Sequence, residues 1–77
     1  MFDDKILYRV TISHPNKDSK YNGTFLFTMR KTYRTNKWSA YQAVFGCSAD
    51  VFNEPEDAIR DLILAQNCVA TSDIEEI

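Results

Sequence analysis

Two runs of strict alternation, KILYRVTIS (5–13) and TFLFTMRKTY (24–33), constrain this chain more than any other feature. In both, β-branched and aromatic residues recur at every second position, the period of an extended strand with one dry face. Ile6, Tyr8, Val10 and Ile12 share one side of the first run, and Leu7, Arg9, Thr11 and Ser13 the other. In the second, Phe25, Phe27 and Met29 point inward, with Thr24, Leu26, Thr28 and Arg30 outward. HPNKDSKYNG separates the two: Pro15 has no amide to donate to a ladder, and Asn22-Gly23 is a tight-turn pair. Two strands alone are marginal in water, so the dry face requires a further strand and a cover.

The turn YRTNK leads to the third strand, WSAYQAVFGC (38–47). Its inward set is expected to be Tyr41, Ala43, Phe45 and Cys47, and its outward set Trp38, Ala40, Gln42 and Val44. Both sets are partly apolar, and a slip of one residue exchanges them. The period then changes. In SADVFNEPEDAIRDLILAQN, Ala58, Ile59, Leu62, Ile63 and Ala65 fall at 3-4 spacing, the stripe of an amphipathic helix. Asn53 with Glu56 three residues on has the pattern of a capping box, and Pro55 suits a first turn. Glu54, Glu56 and Asp57 suit the positive end of the helix dipole, Glu56 and Arg60 are spaced to pair, and Asn67 is a stop. The expected fold is α+β: a three-stranded antiparallel β-meander with one C-terminal helix packed on one face (β-β-β-α). A single domain would span 1–77, with 70–77 a frayed acidic tail or a short edge strand.

With 77 residues, 44% of them hydrophobic and 13% aromatic, the composition is that of a folded globule with a thin stability margin. No apolar run approaches the roughly 18 residues that span a bilayer, and MFDDK carries acids where a secretory signal carries bases. A cytoplasmic protein with no membrane contact is the expectation. Cys47 and Cys68 stand at opposite ends of the helical segment, separated by roughly 20 Å at about 1.5 Å per residue, whereas a disulfide needs Cα atoms within about 7 Å. Two buried free thiols are expected. With one His and no CxxC pair, neither a metal site nor a cofactor is expected.

Charge is divided along the chain. Residues 1–40 hold eight Lys/Arg against three acids, a balance of +5; residues 41–77 hold Arg60 against eight acids, a balance of −7. Arg9, Arg30, Lys31, Tyr33, Arg34, Lys37 and Trp38 form the candidate binding surface, on the sheet and its 30–38 hairpin. Glu54, Asp57, Asp61, Asp73, Glu75 and Glu76 form a candidate acidic surface on the helix and tail. The helix direction would bring that tail near the basic hairpin.

Catalysis has no constellation to work with. In a meander His14 and Cys47 end about 10 Å apart, at two strand spacings, too far for a nucleophile and its base. The acids lie on exposed elements, where nothing perturbs them. No enzyme is expected. An interaction protein fits better: the face away from the helix would mix Trp38, Arg9 and Arg30 with Leu7, Leu26 and Val44, and both edges of a three-stranded sheet would be open to another chain. The expectation is a binder that blocks or recruits another macromolecule, of the kind phages or mobile elements encode as inhibitors of host defence or nucleic-acid machinery. Its partner is a protein or a second copy as a homodimer. The alternative is a single-stranded nucleic-acid module, with Arg30, Lys31, Arg34 and Lys37 on phosphates and Tyr33 or Trp38 stacking on bases. The acidity of the whole chain counts against it.

YQAVFGCSADVFNEPEDAIRDLI, about a third of the chain, is similar to the strand-turn-helix of HicB-type antitoxin domains, in which a Gly-Cys step precedes a capped helix. The glycine that those domains carry before the cap is missing, and no residue role is carried across.

Overall fold

The computed structural model describes residues 2–77 along the backbone and the side chains from Lys5 onward. Met1 and the side chains of Asp3 and Asp4, counted in the charge division, lie outside the described residues. The elements run β1 (Phe2–Ser13), β2 (Gly23–Thr32), β3 (Lys37–Gln42), β4 (Gly46–Cys47), α1 (Pro55–Ala65), β5 (Val69–Ala70) and β6 (Glu75–Glu76). The chain is a small α+β domain in which one antiparallel sheet is ordered β4-β3-β2-β1-β5, with β6 also paired to β1.

The long β1–β2 hairpin places Tyr8 opposite Phe27, Val10 opposite Phe25 and Ile6 opposite Met29, so both dry faces coincide as their alternation requires. The 14–22 connection holds itself together. The Asn22 side-chain amide donates to the carbonyls of Asn16 (2.8 Å), Lys17 (3.2 Å) and Ser19 (3.3 Å), while its oxygen accepts the His14 amide at 2.7 Å.

α1 lies over this inner face and buries Ala58, Ile59, Leu62 and Ile63 against Tyr8, Val10, Ile12, Phe27, Met29, Ala40 and Phe45. Full burial of an Ile or Leu side chain stabilises by about 1.5–3 kcal/mol, which is why this stripe seats the helix. The helix begins differently from the capping-box expectation. Glu54 is the N-cap and makes no side-chain cap bond, Pro55 occupies the first helical position, and Asn53 instead accepts a hydrogen bond from Lys37 Nζ. Arg60 pairs with Asp57 at 3.2 Å rather than with Glu56, and Ala65 is exposed. The stop at Asn67 holds: its φ of 59° is left-handed, and the Cys68 and Asn67 amides close back on the Ile63 and Leu64 carbonyls at 3.1 and 3.0 Å.

The sheet departs from the three-stranded expectation in four respects. The expected third strand is broken after Gln42, because Gln42 Oε1 accepts the amides of Val44 (2.6 Å) and Phe45 (3.2 Å) and turns the chain into β4. Its faces are exchanged. The four-residue loop at 33–36 sets Met29 opposite Ala40 and Lys31 opposite Trp38, so Trp38 and Ala40 face the core, whereas Tyr41, Ala43 and Cys47 are exposed. Of the expected inward set only Phe45 is buried, and it arrives through the turn. Of the two alternatives for the tail it takes the edge strand, which adds to the three strands expected: β5 joins Ile12 and Ser13, and β6 joins Tyr8 and Arg9. Finally, the edges are covered in part. β4 and a Trp38–Phe52 bridge (2.7 and 3.3 Å) flank β3, and β5 and β6 flank the C-terminal half of β1. Two-residue edge strands of this kind blunt pairing with another chain.

Candidate functional site

α1 lies on the inner face; on the outer face Ser39 is buried at the β3 end, where Asp50 reaches Thr32, and the rest carries exposed or half-buried side chains. Register assembles this outer face in cross-strand rows. Leu7, Thr28, Tyr41 and Cys47 stand side by side across β1, β2, β3 and β4. Ile77 extends this row, its amide donating to the Leu7 carbonyl at 3.0 Å. The next row is Glu75–Arg9–Leu26, and on the other side stands Lys5–Arg30–Ser39. Leu7 (45% exposed), Tyr41 (42%) and Ile77 (63%) stand in the row between two cation-bearing rows, and Leu26 (52%) stands beside Arg9 in one of them. Arg9 reaches Glu75 at 4.0 Å, and the Arg30 guanidinium lies 5.9 Å from the centre of the Tyr41 ring.

The seven residues of the expected binding surface do not form one surface. Arg9 and Arg30 belong to the outer face. Lys31 and Trp38 lie on the inner side, with the Lys31 ammonium 5.8 Å from the indole centre and Trp38 packed against the core. Tyr33 and Arg34 are exposed at the hairpin tip. Lys37 is held by Asn53, and Thr32 beside it donates to Asp50. The β2–β3 pairing separates them: neighbours in sequence alternate faces, so a cluster along the chain divides in space.

The acidic set divides similarly. Glu54, Asp57 and Asp61 are exposed along α1, while Asp73, Glu75 and Glu76 run along β1 rather than beside the hairpin. Glu75 faces outward beside Arg9, and Glu76 stands opposite Tyr8. Burial is the main cause that raises the Tyr8 phenol above its usual value, followed by the negative charges of Glu56, Glu76 and Glu54. Burial alone raises the Cys68 thiol. Both cysteines are free, Cys68 buried and Cys47 exposed, so the expectation of two buried thiols fails at Cys47 through the exchanged face.

Among the described residues no three His, Cys, Asp or Glu side chains assemble a metal-holding group, and no helix is long and apolar enough to cross a membrane. An apolar cleft of about 340 Å³ lies between the C-terminal half of α1 and β5, lined by Arg60, Ile63, Leu64, Cys68, Val69 and Ala70. Sequence reasoning missed this cleft, which depends on the turn at Asn67 and the pairing of β5. It also left Tyr41, Ile77 and Lys5 off the outer face. Compared with known proteins, the chain matches no family model, no curated protein and no solved structure.

Proposed function

We propose that this protein is a non-catalytic interaction module whose outer sheet face docks on another macromolecule and thereby blocks or recruits it. One observation carries the reading: Leu7, Leu26, Tyr41 and Ile77 are exposed apolar residues standing among Arg9, Arg30 and Lys5 on the sheet face turned away from α1. Tyr and Arg are enriched among the residues that dominate binding energy at interface centres, and here Tyr41 lies against Arg30 while Leu7 and Leu26 add apolar area. The partly paired edges turn the proposal away from strand addition and toward this face. The class of protein we infer is an inhibitor of the kind encoded by phages or mobile elements, an analogy of class rather than of residues.

The test replaces Leu7 and Leu26 together by Thr, which keeps strand propensity and removes the aliphatic surface. The variant should retain the circular dichroism spectrum of the native chain and lose at least tenfold in affinity for the partner recovered with it from its native lysate. A partner bound equally well by both chains would refute the assignment of the face.

The nucleic-acid alternative is weaker than the sequence suggested, because Trp38 packs inward and is not offered to a base. What favours it is the exposed pair Tyr33 and Arg34 at the hairpin tip. Replacing Arg34 and Lys37 by Glu should abolish any salt-sensitive shift of single-stranded DNA, and the alternative fails if no shift occurs at low salt.

A further inference from the structure

Three features remain outside the reading above: the cleft beside α1, the acids along that helix, and the exposed Leu64 among them. The cleft is bordered by Leu64, which is 73% exposed, and by the exposed Val69. Glu54, Asp57 and Asp61 are exposed on the same helix, with Arg60 held by Asp57. This side of the molecule is therefore apolar and acidic. The outer sheet face, on the opposite side of a two-layer fold, is apolar and basic.

Shape restricts where a stable contact can form. The molecule measures 40 × 22 × 18 Å, and a standard interface removes about 800 Å² from each partner. Only a broad face offers that much, and there are two: the outer sheet face and the helix layer. Charge then selects between ways of joining copies. Sheet against sheet sets Lys5, Arg9 and Arg30 of one copy against the same cations of the other, with Glu75 beside Arg9 and Asp50 beside Thr32 offsetting them in part. Sheet against helix layer sets those cations against Glu54, Asp57 and Asp61, and brings Leu7 and Leu26 over a cleft able to receive a side chain. A knob on one face and a hole on another of the same chain make a heterologous contact, which propagates because it does not close.

Resting on the outer sheet as the binding face, we propose that its occupant is a second copy of this chain, joined head to tail: the basic sheet face of one molecule seats on the acidic, clefted helix side of the next. Each assembly retains one unused face of each kind at its two ends, so association grows with concentration. It weakens with salt, since exposed charges are screened within about 10 Å at 0.1 M ionic strength.

Two charge-inverted chains test this, Arg9→Glu with Arg30→Glu on the sheet side and Asp57→Lys with Asp61→Lys on the helix side. Sedimentation and light scattering of the native chain at low salt should give a mean mass that climbs with concentration and falls back at high salt. Each inverted chain alone should stay monomeric. Their equimolar mixture should associate again, because the intact sheet face of one meets the intact helix side of the other and the two inverted faces are themselves opposite in charge. Leu64→Asp provides a second helix-side variant, should inversion in the first helical turn disturb folding by circular dichroism. A native chain that stays monomeric at every concentration overturns the inference, as does a closed dimer abolished by the sheet variant and untouched by the helix variants. A monomeric chain that still loses a foreign partner on Leu7→Thr/Leu26→Thr substitution overturns the second copy as occupant while upholding the binding face. Salt-sensitive capture of single-stranded DNA by the sheet face, without self-association, overturns it in favour of nucleic acid.

Discussion

Phe45 closes one end of the core from within a turn, and removing it should cost more stability than its place outside any strand implies. Its ring lies 4.9 Å from that of Tyr21, 5.0 Å from Phe25 in an edge-on arrangement and 5.5 Å from Phe27, and the residue is 5% exposed. Truncating a buried Phe to Ala costs about 3–5 kcal/mol through lost transfer energy and the cavity left behind. Each aromatic pair adds about 0.5–1.5 kcal/mol beyond area, which places Phe45→Ala in the upper half of that range, near 4 kcal/mol. A domain of 77 residues at about 0.05–0.15 kcal/mol per residue has only about 4–12 kcal/mol in total. The variant should therefore lose a third or more of the stability of the native chain, and all of it at the lower end of that range. Phe45→Leu keeps most of the volume and loses the ring geometry, so about 1–2 kcal/mol is expected. Urea unfolding followed by circular dichroism and by the fluorescence of Trp38 measures both, and an unchanged slope would confirm a pure stability effect. A loss below about 1 kcal/mol for Phe45→Ala would refute the reasoning, since collapse of the turn would then fill the site at little cost.

Other residues give shorter tests. Cys47 should react with a thiol reagent in the native state, whereas Cys68 should react only on unfolding; equal rates in a stopped-flow trace would contradict the face assignment. Tyr8 holds its proton more tightly in the folded chain than in the unfolded one, so stability should fall as pH rises through and above the ordinary phenol value near 10, and Tyr8→Phe should remove that slope in alkaline melting curves. Asn67→Val should destabilise by about 1–2 kcal/mol and Asn67→Gly by little or none, because the residue sits at a φ of 59°, where a β-branched side chain is crowded. Urea midpoints of the two variants decide this.

Where one period dominated, local pattern was sufficient. The inward sets Ile6-Tyr8-Val10-Ile12 and Phe25-Phe27-Met29 were legible because hydrophobicity alternates cleanly, and Ala58-Ile59-Leu62-Ile63 because it repeats at helical spacing. Trp38 to Val44 failed for the reason that made it ambiguous: both faces carry apolar residues, so nothing along the segment distinguishes one register from its neighbour. The loop at 33–36 and the Gln42 side chain decided it, and both act through contacts with other segments.

The candidate site shows the same division. The outer face takes the positions alternating with the core, so Leu7, Arg9, Leu26 and Arg30 were visible as its members. Tyr41 and Ile77 joined it only through strand pairing. The apparent unity of the basic hairpin was a property of the chain and not of the surface, because a β-strand sends successive side chains to opposite faces.

Composition and period alone determined that this chain buries one face of an antiparallel sheet under one helix, and that its charges divide along its length. Tertiary structure decided which face Trp38 joins, that β3 and the C-terminal half of β1 are flanked at the sheet edges, and that the acidic tail runs beside Arg9 instead of the hairpin. The physical reason is range: alternation is set by backbone geometry within a few residues, whereas register and edge pairing are set by which distant segments offer a donor, an acceptor or a ring at the right distance.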